Sequence, residues 1–122
     1  MGRLTTHVLD TVRGCPGAGI RIELFRVLER RLEPVAQALT NFDGRCDEPL
    51  LQGAEYRSGT YELHFHAGAY WRGQPGHAAD EPASAAAFLD EVVVRFMLDE
   101  RQDHYHVPLL LSPFAYSTYR GS

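Results

Sequence analysis

The chain has 122 residues, of which 44% are hydrophobic and 23% charged, with a formal net charge of −4. That length suits a single domain spanning residues 1–122, and the composition excludes a disordered chain. The acidic balance argues against a nucleic-acid-binding role built on nonspecific charge attraction.

No internal repeat is visible, and the chain reads as short strands separated by turn residues. Leu4 to Asp10 is the first expected strand, with Thr5, His7 and Leu9 on one face. Arg13-Gly-Cys-Pro-Gly17 reads as a loop. Ile20 to Leu28 alternates, with Ile20, Ile22, Leu24 and Arg26 on one face and Arg21, Glu23, Phe25 and Val27 on the other. Pro34 to Asn41 is another strand, followed by the Asp43-Gly44 turn signal ahead of Arg45. In Thr60 to His66, Tyr61, Leu63 and Phe65 share one face, and Glu62, His64 and His66 share the other. This alternation marks a half-buried antiparallel strand. Gly68 to Ala87 breaks the pattern and admits a short helix around Gly68 to Arg72 or around Ser84 to Leu89. Glu91 to Leu98, His104 to Leu111 and Ala115 to Arg120 complete the strands. Seven or so short strands with frequent turns point to an all-β, antiparallel two-sheet sandwich with one short helix. Pattern alone leaves immunoglobulin-like and barrel arrangements open.

All 12 basic residues are arginines, which excludes a Schiff-base lysine and a phosphate-loop lysine. A chain this size buries roughly two-thirds of the surface its unfolded form exposes. It can hold a core without disulfide or metal, but a sizeable pocket is expected to need a partner subunit. Cys15 and Cys46 have no Cys-x-x-Cys spacing and read as free thiols. The first residues carry no apolar run and no stretch has the length of a membrane span, so a cytoplasmic location without membrane contact is expected.

Histidine is the side chain whose ordinary pKa lies nearest neutrality, and there are six. Tyr105, Val107, Leu109 and Leu111 form an apolar face, so His104, His106, Pro108 and Leu110 are expected to face outward. An outward face that is half apolar suggests cover by another subunit. His64-Phe-His66 and His104-Tyr-His106 each offer two ligands on one face, whereas zinc takes three or four. No metal site is expected. The chain has no Gly-x-Ser-x-Gly elbow and no glycine-rich phosphate loop.

Leu4-Thr-Thr-His-Val-Leu-Asp10 with Gly14-Cys-Pro16, Asp43-Gly-Arg45 with Pro49-Leu-Leu51, and Gly59-Thr-Tyr-Glu-Leu63 resemble motifs of the 5-hydroxyisourate hydrolase family of transthyretin-related proteins. His104-Tyr-His-Val-Pro-Leu-Leu-Leu-Ser-Pro113 and the closing Tyr119-Arg-Gly-Ser122 are similar to that family's last signature. The resemblance implies a transthyretin-like sandwich and a homotetramer, a dimer of dimers, with sites in the channel between dimers. It also implies hydrolytic opening of the lactam of 5-hydroxyisourate, in urate breakdown, to 2-oxo-4-hydroxy-4-carboxy-5-ureidoimidazoline, without a cofactor. Carried over by motif, His7, Arg45 and His106 are the expected catalytic residues, with Tyr119 and Ser122 joining His7 and Arg45 in substrate binding.

Those residue types suit the reaction. A neutral imidazole can take a proton from water near pH 7. The guanidinium of Arg45 offers a planar fork of donors to a developing oxyanion. Which histidine acts as base is open. A transthyretin-like small-ligand carrier is the competing expectation; it calls for an apolar, open channel, whereas His7, His106, Arg45 and Tyr119 would line it here. Two departures from the family pattern are Gly17 in place of alanine and a longer, alanine-rich segment between Tyr70 and Val92.

Overall fold

The computed structural model describes residues 2–121. The chain order is β1 (Arg3–Asp10), β2 (Cys15–Pro16), β3 (Arg21–Val27), β4 (Leu32–Leu39), β5 (Leu51–Gln52), β6 (Gly59–His66), α1 (Ala67–Arg72), α2 (Ala83–Ala86), β7 (Glu91–Leu98), β8 (His104–Leu111) and β9 (Tyr116–Thr118). One sheet runs β2-β1-β8-β9 with β5 also paired to β1; the other runs β4-β3-β6-β7. The inner faces hold Leu4, Val8, Ile22, Leu24, Tyr61, Leu63, Phe65, Val92, Leu109 and Leu111, none more than 1% exposed. These are the residues that alternation places inward, and each contributes about 1.5–3 kcal/mol by leaving water. Arg26 also turns inward: its guanidinium donates to the Tyr61 hydroxyl at 2.6 Å, and that hydroxyl donates to the Arg57 carbonyl.

Two expectations are corrected. The sandwich is not wholly antiparallel, because β1 and β8 run parallel, in the register Thr5↔His106 and His7↔Pro108. The chain leaves β1, builds the whole second sheet, and returns beside β1 in the same direction. Nor is there a single helix: both candidate segments are helical. In α1, Ala67, Tyr70 and Trp71 form one buried stripe, as helical spacing requires. The four-residue α2 follows Pro82 and buries none of its side chains.

β4 ends at Leu39, and Thr40 just beyond it ties this end to the chain before β3: its hydroxyl donates to the Gly17 carbonyl at 2.6 Å and accepts from the Ile20 amide at 2.8 Å. Asp10 is 1% exposed, and its carboxylate accepts from the Val12 and Arg13 amides and from the Tyr70 hydroxyl. Burial and this hydrogen bond raise the Tyr70 pKa, so the phenol remains a donor. The two cysteines are free thiols. No helix among the described residues is long and apolar enough to cross a membrane.

Candidate active site

Two histidines meet on the outward face of the first sheet because β1 and β8 are neighbours. His7 projects from β1 and His106 from β8, their ring centroids 6.4 Å apart and the planes inclined at 38°. Both are half-buried. Burial, and then the Arg45 charge, hold the pKa of each below the ordinary histidine value; for His7 hydrogen bonding to the Asp43 backbone opposes this, and for His106 the neighbouring His7 adds to it. Both rings are therefore neutral near pH 7 and able to accept a proton.

Arg45 reaches this face through a tight turn. The Asn41 side-chain carbonyl accepts from the Asp43 and Arg45 amides, and the Gly44 amide donates to the Asn41 carbonyl. Gly44 has φ +74°, a left-handed conformation that favours glycine. It also lies against β1: the Val8 amide donates to its carbonyl at 2.8 Å. That contact sets Arg45 opposite His7 as an isolated bridge.

The C-terminal segment closes another side. β9 pairs with β8, after which Tyr119 and Arg120 leave the sheet. Arg120 lies over the Tyr105 ring at 4.2 Å and donates to the His104 carbonyl at 2.9 Å. Gly121 then returns, its amide donating to the His106 carbonyl at 2.7 Å. A side chain at Gly121 would press on the His106 ring and on Pro108. This segment covers Pro108, which is buried although it sits on the outward face. Cover over this strand, expected from a second subunit, comes at Pro108 from the chain's own tail. Ser122 lies outside the described residues. Tyr119 is 59% exposed.

His7, Arg45 and His106 thus meet on one side of the sandwich, and Tyr119 lies in the tail that returns to His106 at Gly121. The motifs did not single out Thr5, whose hydroxyl lies 2.8 Å from Nδ1 of His106, or Arg120, which pins the tail. Thr5 alternates with His7 on β1, a signal of position but not of role. No wall on the far side of the site comes from the described residues.

The other histidine pair lies on the opposite side, on the outer face of the second sheet. His64 Nε2 faces Glu62 at 2.8 Å and its Nδ1 faces Glu91 at 3.3 Å. His66 Nε2 faces Glu23 at 2.7 Å, and Arg95 pairs with Glu62. Glu23, His66 and Glu91 are the described residues closest to a metal-ligand arrangement, their ligand atoms within 4.8 Å of one another. Within this group His66 is hydrogen-bonded to Glu23, while Glu91 faces His64 instead.

The model of the HIUase/Transthyretin family matches residues 4–121. The 5-hydroxyisourate hydrolase of Pseudomonas aeruginosa is 60% identical over 122 residues, covering 100% of this chain and 93% of that protein. The solved 5-hydroxyisourate hydrolase of Klebsiella pneumoniae superposes with a TM-score of 0.77 at 31% identity, covering 100% of both chains. A solved (S)-allantoin synthase superposes with a TM-score of 0.85 at 44% identity, covering 99% of this chain; the chain spans 44% of that longer one. With the family model running through β1, the Arg45 turn, β8 and the tail at Gly121, the chain belongs to the HIUase/Transthyretin family.

Proposed function

We propose that this protein hydrolyses 5-hydroxyisourate, opening its lactam to give 2-oxo-4-hydroxy-4-carboxy-5-ureidoimidazoline. The observation that carries the reading is the convergence of two half-buried imidazoles with one arginine on a single sheet face. The family membership and the 60% identity to a hydrolase of that name support it.

The ring separation of 6.4 Å between His7 and His106 admits one water hydrogen-bonded to both. One imidazole takes the water's proton as the oxygen attacks the lactam carbonyl; the other orients the water or returns a proton to the leaving nitrogen. Arg45 holds the carbonyl oxygen as charge develops on it. A guanidinium does this with two parallel donors, which an ammonium cannot. Tyr119 contacts the substrate, and Ser122, next to the Gly121 pinned at His106, completes its binding. Protein groups alone accomplish each step.

A homotetramer, a dimer of dimers, supplies the wall that the described residues do not form. Tyr119, in the tail that returns to His106, is 59% exposed, and a second copy facing this sheet turns an open surface into a channel. The site is tested by generating the substrate in place with urate oxidase and following its decay. Decay at the spontaneous rate removes the hydrolase reading. Full activity in His106→Ala removes the site. A fully active monomer by size-exclusion mass removes the channel.

A further inference from the structure

We propose that Thr5 is a positioning residue that anchors Nδ1 of His106, so that Nε2 is the nitrogen presented to the water. The proposal rests on the reading of His106 as a group that handles the attacking water. Thr5 and His106 are 101 residues apart in sequence and directly opposite one another in the parallel β1–β8 register. That register places the Thr5 hydroxyl 2.8 Å from Nδ1, and it is the only hydrogen-bond partner of the His106 ring among the described residues. The neighbouring Thr6 points inward and donates to the Val107 carbonyl.

The choice of a hydroxyl has a chemical consequence. A carboxylate at this position would attract the proton and favour the imidazolium. A hydroxyl both donates and accepts. It keeps its bond to Nδ1 when the ring is neutral and when it carries the abstracted proton, without holding that proton. The titratable and charged groups facing His106 are His7 from β1 and Arg45 from the turn, both of which oppose protonation. His104, on the same strand face, is exposed to solvent. Thr5 therefore orients the ring while leaving it neutral, a combination an acidic anchor would destroy.

Three variants of the full chain test this. Thr5→Val keeps the branched shape and removes the hydroxyl; kcat should fall on the order of tenfold with little change in KM and no change in assembly. Thr5→Ser restores the hydroxyl and should recover most of kcat. Thr5→Asp should raise the His106 pKa by about one unit or more, moving the acidic limb of the rate profile upward and shifting the imidazole resonance measured by NMR titration. Wild-type kcat in Thr5→Val, failure of Thr5→Ser to recover it, or an unmoved His106 titration in Thr5→Asp overturns the proposal. The titration is read without substrate. If the wild type fails to accelerate substrate decay while His106 still titrates as expected in Thr5→Asp, the hydrolase reading falls and the anchor stands.

Discussion

Replacing Gly44 with alanine separates two costs that the Arg45 turn carries. The first is conformational: φ is +74°, and a left-handed residue with a Cβ costs about 1–2 kcal/mol. Part of this returns, about 0.4–1 kcal/mol, because alanine restricts the unfolded chain. The second cost is contact. A Cβ at residue 44 would sit closer than 3.0 Å to the Val8 carbonyl oxygen and 3.2 Å from the Gly17 amide nitrogen. Both atoms are backbone, so the turn must lift away from β1. That weakens the Val8 amide to Gly44 carbonyl bond and the Gly17 amide to Val8 carbonyl bond, each worth about 1 kcal/mol. Gly14 is the control, since its φ is +68° and nothing lies within 4 Å of its would-be Cβ. Gly14→Ala therefore carries the strain alone. Gly44→Ala should be less stable than Gly14→Ala by about 2 kcal/mol, on the order of 5–10 °C in melting temperature for a domain this size. Because the turn sets Arg45, a displacement on the order of 1 Å should also cost roughly 10²-fold in kcat. Thermal melts and the urate oxidase-coupled assay read the two effects. Equal melting temperatures for the two variants, with full activity in Gly44→Ala, would refute the reasoning.

The remaining expectations follow from other contacts. The depressed pKa values of His7 and His106 mean that activity persists below the ordinary histidine range and is lost as pH falls further; Arg45→Gln removes the charge that lowers both, so the residual rate should lose its acidic limb at higher pH, and an unshifted limb contradicts the electrostatics. Tyr70→Phe leaves the buried Asp10 carboxylate without one of its donors and should cost about 1–3 kcal/mol in denaturant unfolding, with kcat retained. Arg120→Ala frees the tail from Tyr105 and the His104 carbonyl and should lower kcat about tenfold with a melting temperature within a few degrees of wild type. A variant with unchanged kcat would show that Gly121 alone holds the tail.

Much of the sandwich is legible in the order of residues. A strand with one face buried must alternate, so Ile22, Leu24, Tyr61, Leu63 and Phe65 declare their side without reference to any partner. Left-handed turn positions declare themselves as well, because Gly44 occupies a conformation that glycine adopts without strain. The candidate site residues come from motifs, not from spacing: His7 and Arg45 look like ordinary surface groups until β1 and the turn are brought together.

Alternation by itself determined which residues face inward, because the period of a strand is a local property of the backbone. Only the tertiary structure decided that β8 lies parallel beside β1, that Thr5 meets His106, and that Arg120 and Gly121 fold the tail onto Pro108. Those contacts join segments up to about a hundred residues apart. Strand pairing is made by backbone groups that every residue carries, so nothing local in β1 names its partner. The assembled sheet makes that choice, and with it the geometry of the site.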